Sequence, residues 1–423
     1  MPRAHLPKGT RDLLPEQMNR RLKVIETVRR VFTRYGFEPL ETPAFERIET
    51  LTGKYGDEGD RLIFKILKRG EGGKRGEVDL ALRYDLTVPL ARVMAMNPQL
   101  LLPFKRSQVQ PVWRADRPQK GRFREFYQCD VDVVGNESPI AEAECLAVVH
   151  DVLSELGFRS FTIRLNDRRL LQALARAIGA QEQETSLLVA LDKLDKIGRD
   201  GVNRELGERG FTPDQISRLW PLLDGDPIPG TDEAEAGLVR VVQLATALGV
   251  DPDSIRIDRT LARGLDYYTG PIFETIVNEP DIGSIAGGGR YDELIGMFSG
   301  RSIPAVGVSL GLERIFVVME ELGLMEDAST STRVWVTVFS EDLLPASLQV
   351  TRALRSADIP TDIASAGTKL TKQLRAAHRR GIPYVVILGP TEVERGVLIL
   401  RNLSSGDQEE LSLEQAITRL QGA

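Results

Sequence analysis

Between residues 123 and 133 apolar and polar side chains fall into two alternating sets. Phe123, Tyr127, Cys129, Val131 and Val133 share one face of an extended segment. Arg124, Phe126, Gln128, Asp130 and Asp132 share the other, because successive side chains on a strand point to opposite faces. Residues 114–135 therefore read as two strands joined by a basic loop, with Pro118, Lys120 and Gly121 breaking the pattern between them. The first face is a core face. The second gathers an arginine, a ring, an amide and two carboxylates. A solvated strand face is polar too, but here arginines crowd at one end and acceptors at the other. That order suits a ligand with an anionic end and a hydrogen-bond-donating end.

The same patterning divides the rest of the chain. Leu22, Ile25, Val28 and Phe32 recur at helical spacing and predict a helix over 16–35, stopped by Gly36. Residues 37–46 are extended, and Pro39 and Pro43 restrict them to an edge or an interface. Strands over 63–67 and 79–84 flank a polar glycine-rich loop at 70–76. A helix follows from Asp85 to about Met96, with Asp85 or Thr87 as its N-cap. Another covers 139–156, with Val148, Val149 and Val152 on its apolar side, and a strand covers 161–165. Residues 168–253 are helical and charged and read as an insertion. Strands at 255–257 and 307–310 and a helix over 311–323 complete a first domain, 1–326.

After the small-residue linker at 327–332 the pattern becomes βαβα, which predicts a C-terminal α/β domain over 333–423. Its strands are 334–339, 360–363, 384–388 and 397–401, and its helices 344–356, 369–380 and 412–420. The helix at 369–380 has an apolar stripe of Leu370, Leu374 and Ala377. Opposite it lies a basic stripe of Lys369, Lys372, Arg375 and Arg379.

Composition narrows the classes. A chain of 423 residues is too long for one core. No apolar run reaches the ~20 residues of a membrane span, and the N-terminus has no hydrophobic signal region. Cys129 and Cys145 alone make no disulfide framework, which points to a reducing cytoplasm. Three histidines and no Cys-x-x-Cys argue against a zinc site. The net charge of −6 excludes a globally basic nucleic-acid binder but leaves room for local basic patches.

Four segments carry candidate chemistry. In the first, Arg114, Arg122 and Arg124 offer planar donors to phosphate, and Phe126 offers a ring for stacking or for the core. The second, 263–270, crowds Asp266, Tyr267 and Tyr268 between Gly264 and Gly270. The third, 284–293, contains Gly287, Gly288 and Gly289, which let backbone approach a ligand or simply make a flexible loop. It is neither Gly-x-Gly-x-x-Gly nor a P-loop. The fourth, 307–314, leads a small-residue strand into a helix bearing Arg314, either as a ligand group or in a surface ion pair.

Together and in this order, these segments resemble the class II aminoacyl-tRNA synthetases, and within them the histidyl-tRNA synthetase family. The Pro43 segment is similar to motif 1, 114–135 to motif 2 and 307–314 to motif 3, while 263–268 and 284–292 resemble the two histidine-specific signatures. The likeness spans essentially the whole chain. It implies an α+β catalytic domain, a mostly antiparallel sheet flanked by helices, with a helical insertion and a C-terminal anticodon-binding domain. It also implies a homodimer built through the Pro43 segment.

The resemblance implies ATP-dependent activation of L-histidine followed by transfer to tRNA(His), with Mg²⁺ accompanying ATP and no protein nucleophile. By the family pattern Arg114 and Arg263 are the catalytic arginines that flank the α-phosphate. Arg122 reaches the terminal phosphates, Phe126 and Arg314 sandwich adenine, and Asp116 joins the ATP site. Asp85 and Thr87 hold the α-amino group, and Gln128, Asp132, Tyr267 and Tyr268 line the histidine pocket. Gln119 and Lys120 in the motif 2 loop, with Lys369, Lys372, Arg375 and Arg379, face tRNA. Asp116 stands where motif 2 commonly has glutamate, and residues 82–87 replace a Pro-Glu-Gly-Thr form; both resemble the eukaryotic-type branch. Pro390-Thr391 replaces a Gly-Glu form. The competing reading is a non-aminoacylating, histidine-sensing regulatory subunit of ATP phosphoribosyltransferase, disfavoured by Arg263 and by the C-terminal domain.

Overall fold

The computed structural model describes residues 4–262, 267–280, 282–325 and 330–422, without the side chains of 57 and 58. The chain divides into two compact units, Met1–Arg11 with Val24–Leu324, and Asp12–Lys23 with Met325–Ala423.

The first unit is built on an eight-stranded sheet. Its strands and those of a small companion sheet are β1 (Glu38–Pro39), β2 (Phe45–Arg47), β3 (Lys65–Leu67), β4 (Val78–Leu82), β5 (Phe104–Trp113), β6 (Glu125–Val134), β7 (Phe161–Asp167), β8 (Ile255–Ile257), β9 (Pro271–Val277), β10 (Ser284–Arg290) and β11 (Ala305–Gly311). The large sheet runs β1-β5-β6-β11-β10-β9-β7-β8, and the companion runs β2-β4-β3. Every pairing from β5 through β7 is antiparallel, and the two edge pairings, β1 with β5 and β7 with β8, are parallel. This is the α+β architecture expected. Proline at Pro39 sits on an edge strand, where its missing N–H costs no ladder bond.

Helices cover the sheet. The Pro15–Arg34 helix buries Val24, Ile25, Val28, Val31 and Phe32 at the predicted spacing. The Ile140–Glu155 helix buries Cys145, Val148, Val149 and Val152. Five helices lie between Arg168 and Ala247, and the first four share a core with Leu171, Leu187, Leu206 and Leu219 inside. They leave from β7 and return to β8, which are neighbours.

Three expectations for this unit change. Residues 114–135 hold one strand, β6, rather than two: its partner β5 ends at Trp113, and residues 114–124 are the loop between them. The glycine-rich stretch at 70–76 contains a one-turn helix, Glu71–Lys74, rather than an open loop. The triple-glycine stretch is the interior strand β10, not a flexible loop. A Cβ on Gly288 would lie 2.1 Å from the Gly307 carbonyl oxygen and 2.6 Å from the Phe273 ring, and one on Gly289 would lie 2.8 Å from the Pro271 carbonyl oxygen. These two glycines permit close packing within the sheet.

The second unit has β12 (Val334–Val336), β13 (Thr361–Ile363), β14 (Tyr384–Ile387), β15 (Leu398–Asn402) and β16 (Gln408–Leu411), ordered β13-β12-β14-β15-β16. Alternation on β12 sends Val334 and Val336 into one cluster with Leu354 and Leu420, and Trp335 into another with Ala377 and Val385. The sheet is thus packed on both faces. A short helix, Pro390–Arg395, and the strand β16 were not anticipated. Pro390 occupies the first turn, where proline is tolerated. On the Leu370–Arg379 helix the inward residues are Ala377 and the polar Gln373, whose side chain bonds the Val338 N–H and C=O.

Candidate active site

The alternation on β6 builds a cavity of about 260 Å³ over the large sheet. Phe126, Gln128, Asp130 and Asp132 all line it, as the period of two requires. The register places Gly307, Ser309 and Gly311 of β11 opposite Asp132, Asp130 and Gln128, and Arg106, Gln108 and Gln110 of β5 on the other side. Gln128 Nε2 donates to Ser309 Oγ at 2.7 Å. Phe123 departs from the reading. The strand begins at Glu125, so Phe123 escapes the alternation and lines the cavity with its ring under the Arg11 guanidinium, 4.0 Å away.

One end of the cavity is acidic and buried. Asp85 Oδ1 accepts the Tyr55 hydroxyl at 3.0 Å and the Val88 N–H at 3.1 Å, and Oδ2 accepts the Tyr267 hydroxyl at 3.3 Å. Asp85 thus braces the start of the Thr87–Met96 helix while its carboxylate lines the cavity. Asp132 takes the Tyr291 hydroxyl and lies 3.2 Å from Arg106 Nη2. Arg106 is fully buried, and its Nη1 stands 3.8 Å from Asp130. Burial raises the carboxyls of Asp85 and Asp132 above their ordinary range, and takes Asp130 to about 7. The same desolvation holds the Tyr55, Tyr267 and Tyr291 hydroxyls protonated, so they serve as donors.

The other end is cationic. Arg114 Nε donates to the Tyr84 carbonyl at 3.0 Å, and its guanidinium lies 4.2 Å from the Tyr84 ring and 5.2 Å from the Phe126 ring. These contacts fix the fork and leave its terminal nitrogens for a ligand. Arg122 pairs with Asp116 at 3.0 Å across the β5–β6 loop, and Arg314 donates to the Ser284 carbonyl. Glu313 accepts the Tyr127 N–H at 2.9 Å and lies 3.6 Å from Arg11. The loop is backed by the N-terminal segment, since the Arg124 N–H donates to the Gly9 carbonyl at 2.8 Å. Gly9 has φ 85°, and a Cβ there would meet Arg124 and Pro118 at 2.8 and 2.9 Å.

Asp85, Thr87, Arg114, Asp116, Arg122, Phe126, Gln128, Asp132, Tyr267, Tyr268 and Arg314 therefore meet around one cavity. Arg263, with Asp266, lies outside the described residues. Gln119 and Lys120 do not line the cavity; they sit at the loop tip, where Gln119 bridges to Arg122 and Lys120 pairs with Glu321. Lys369, Lys372, Arg375 and Arg379 belong to the second unit and are exposed on one helix. Sequence reasoning missed Tyr55, Arg106, Tyr291 and Glu313. Each comes from a segment without a period pointing at the cavity. Arg106 gave no distinguishing signal, since Lys105 beside it in β5 is a cation too. Asp130 was placed on the correct face but given no role.

Gly307 is a sharp test of this geometry. A Cβ there would lie 2.1 Å from Asp132 Oδ1 and 2.9 Å from the Val131 carbonyl oxygen. Gly307→Ala is expected to displace the carboxylate from Tyr291 and Arg106, costing ~1–3 kcal/mol of stability as overpacked sites do. Chemical denaturation checks this; an unshifted midpoint would show that the strand relaxes freely.

Among the described residues, no group of three or more His, Cys, Asp or Glu side chains is placed to hold a metal ion. Asp116 and Glu313 are the carboxylates at the cationic end. That donor set fits a hard ion that takes most of its ligands from phosphate and water.

The Histidyl-tRNA synthetase family profile matches residues 9–315, and the Anticodon binding domain profile matches 333–422. A histidine–tRNA ligase of Cytophaga hutchinsonii is 42% identical, over 99% of this chain and 100% of that protein. One from Gloeobacter violaceus is 42% identical, over 96% of each. The crystal structure of a histidyl-tRNA synthetase from Nostoc sp. PCC 7120 superposes with a TM-score of 0.86 at 31% identity, covering 99% of this chain and 100% of that one. A Bacillus halodurans structure described as an ATP phosphoribosyltransferase regulatory subunit/histidyl-tRNA synthetase shares the fold, with a TM-score of 0.72 at 21% identity, covering 90% of this chain and 97% of that one.

Proposed function

The chain belongs to the histidyl-tRNA synthetase family, and from that premise we propose how its cavity performs the family's reaction. The chain has histidine–tRNA ligase activity. L-histidine and ATP give histidyl-adenylate and pyrophosphate, and the histidyl group then passes to the 3′ end of tRNA(His). One observation carries the assignment of roles: three buried carboxyls, Asp85, Asp130 and Asp132, line the same cavity as Arg114, Arg122 and Arg314, with Arg114 beside Asp85. That combination matches an amino acid with two cationic or N–H-bearing ends set beside a polyphosphate.

In this reading Asp85 and Thr87 take the α-ammonium group, and Asp132, Gln128 and Tyr268 take the ring, with Tyr267 orienting Asp85. Arg114 bridges the histidine carboxylate and the α-phosphate. It holds the attacking oxygen near phosphorus and offsets charge that grows on the phosphoryl oxygens. Arg263 is assigned to the opposite side of that phosphate by resemblance. Phe126 and Arg314 flank adenine, and Arg122 meets the terminal phosphates as it exchanges partners from Asp116. Asp116 and Glu313 are the side chains that would hold Mg²⁺, which would supply neutralisation of the phosphate charge. No step requires a protein nucleophile.

Histidine-dependent ATP–pyrophosphate exchange followed by tRNA charging tests this; exchange without amino-acid preference would sink the ring assignments. The loop tip and the exposed cations of the Leu370–Arg379 helix are assigned to tRNA. Gln119→Ala with Lys120→Ala is expected to slow charging roughly tenfold while sparing exchange, because neither residue lines the cavity. Equal charging kinetics would remove the loop from the tRNA interface. We assign a homodimer through the motif 1 segment, where Phe45 exposes a large apolar side chain on an outer strand of the companion sheet. The proposed compartment is the cytoplasm; no helix among the described residues is long and apolar enough to cross a membrane.

A further inference from the structure

The mechanism uses Asp132 for the ring and leaves Asp130 without a task. Asp130 precedes it by two positions on the same face of β6, is 1% exposed and lines the cavity. Two buried carboxyls side by side repel unless a cation or a proton intervenes. Arg106 favours Asp132, at 3.2 Å against 3.8 Å to Asp130, and Tyr291 donates to Asp132 as well. Opposite Asp130 on β11 stands the neutral Ser309, whose oxygen accepts from Gln128 and whose hydroxyl is a donor toward Asp130 without bringing a charge. The charged groups that act on Asp130 are Arg106 of β5, Asp132 of its own strand, Asp85 before the Thr87–Met96 helix and, more distantly, Arg83 after β4. The phenols of Tyr268 and Tyr291 beside them stay neutral, since burial raises both hydroxyls.

We propose that Asp130 is a specificity residue for the amino acid's ring: with Asp132 it takes imidazole together with one additional proton, shared between the ring and the Asp130 carboxyl. The inference rests on the histidine reading of this cavity. One ring nitrogen donates its own hydrogen to Asp132. The other lies against Asp130, either as a neutral nitrogen accepting from the carboxylic acid or as an imidazolium N–H donating to the carboxylate. Both descriptions contain the same number of protons. A ring of the same shape without a basic second nitrogen cannot share that proton.

The proton balance sets a pH signature. Free Asp130 titrates at about 7, because burial first, then Asp132 and Asp85, outweigh Arg106 and Ser309. Free imidazole titrates at about 6.5. Below both values enzyme and histidine together carry one proton too many, and binding releases it. Above both they lack one, and binding takes it from water. Affinity therefore peaks near neutrality and falls about tenfold per pH unit on the alkaline side. An amide at position 130 donates to a neutral ring at any pH, so it removes the alkaline fall and leaves the acid one.

The test measures the KM for histidine in ATP–pyrophosphate exchange between about pH 6 and pH 8.5. The unmodified chain is expected to show a KM about tenfold higher at pH 8.5 than at pH 7.5, and Asp130→Asn a flat profile over that interval. The α-amino group of histidine titrates identically in both series and cancels in the ratio. A second arm uses 1,2,4-triazole-3-alanine, which has the shape of histidine and a far less basic ring. At neutral pH the unmodified chain should discriminate against it by about tenfold or more, and Asp130→Asn should narrow that gap. Parallel profiles, or equal discrimination by both proteins, overturn the inference. If Asp130→Asn does not fold, the unmodified chain decides alone: a flat alkaline limb with equal use of both amino acids rejects the shared proton. Absence of any histidine-dependent exchange by the unmodified chain would reject the histidine reading itself.

Discussion

Arg114→Ala is expected to lower histidine-dependent ATP–pyrophosphate exchange by about 10³-fold, as loss of a preorganised charge-stabilising donor does elsewhere. The size of the effect follows from how the side chain is held. Its Nε is committed to the Tyr84 carbonyl, and the guanidinium is stacked between the Tyr84 and Phe126 rings. The fork therefore needs no reorganisation when charge develops at phosphorus. Arg114→Lys should recover little, because a point charge on a flexible stem reproduces neither the stacking nor the bond from Nε. The loss should appear in kcat as well as in kcat/KM, since the contact strengthens toward the transition state. A variant with unchanged kcat and a raised KM would make Arg114 a ground-state binder only.

Asp132 should give the second large effect, in a different parameter. Asp132→Ala leaves Arg106, which is 0% exposed, without its nearest carboxylate. Breaking a buried pair from one side costs ~3–5 kcal/mol, so this variant is expected to lose stability in chemical denaturation. Asp132→Asn keeps the volume and retains an oxygen for the Tyr291 hydroxyl. Its expected defect is a rise of ~10²-fold in the KM for histidine with the KM for ATP nearly unchanged, because hydrogen-bonding sites discriminate through the group left unpaired. Equal changes in both constants would place Asp132 in the general architecture of the site rather than at the ring.

Much of this site was legible because a strand has a period of two. Once residues 123–133 are read as extended, Arg124, Phe126, Gln128, Asp130 and Asp132 must share a face, and the cavity shows that the last four do, whereas Arg124 precedes the strand and bonds the Asp116 carbonyl instead. The helix starting near Asp85 and the βα succession after residue 333 were legible for the same reason, a period with punctuation. What periodicity does not contain is the third dimension. Arg106 lies opposite Asp132 only because β5 and β6 pair in that register. Tyr55 reaches Asp85 across 30 residues and Tyr291 reaches Asp132 across 159, so no local pattern announces either. The glycines at 287–289 show the converse failure. Their composition signals backbone freedom, yet two of them exist to let strands and rings pack closely. Phe123 fell on the wrong face for a plain reason: the extended period begins two residues later.

Two of the cations in the loop between β5 and β6 are already paired. Arg122 is held by Asp116 and Lys120 by Glu321. Anion capture at this loop is thus a metathesis, in which one ion pair is traded for another and a carboxylate is released. A monovalent or weakly held anion gains little from such a trade, whereas a polyphosphate presents several charges at once and can displace the resident acid. Affinity at these two cations is therefore graded by the valence of what arrives, and their resident acids set the threshold that an incoming anion must exceed.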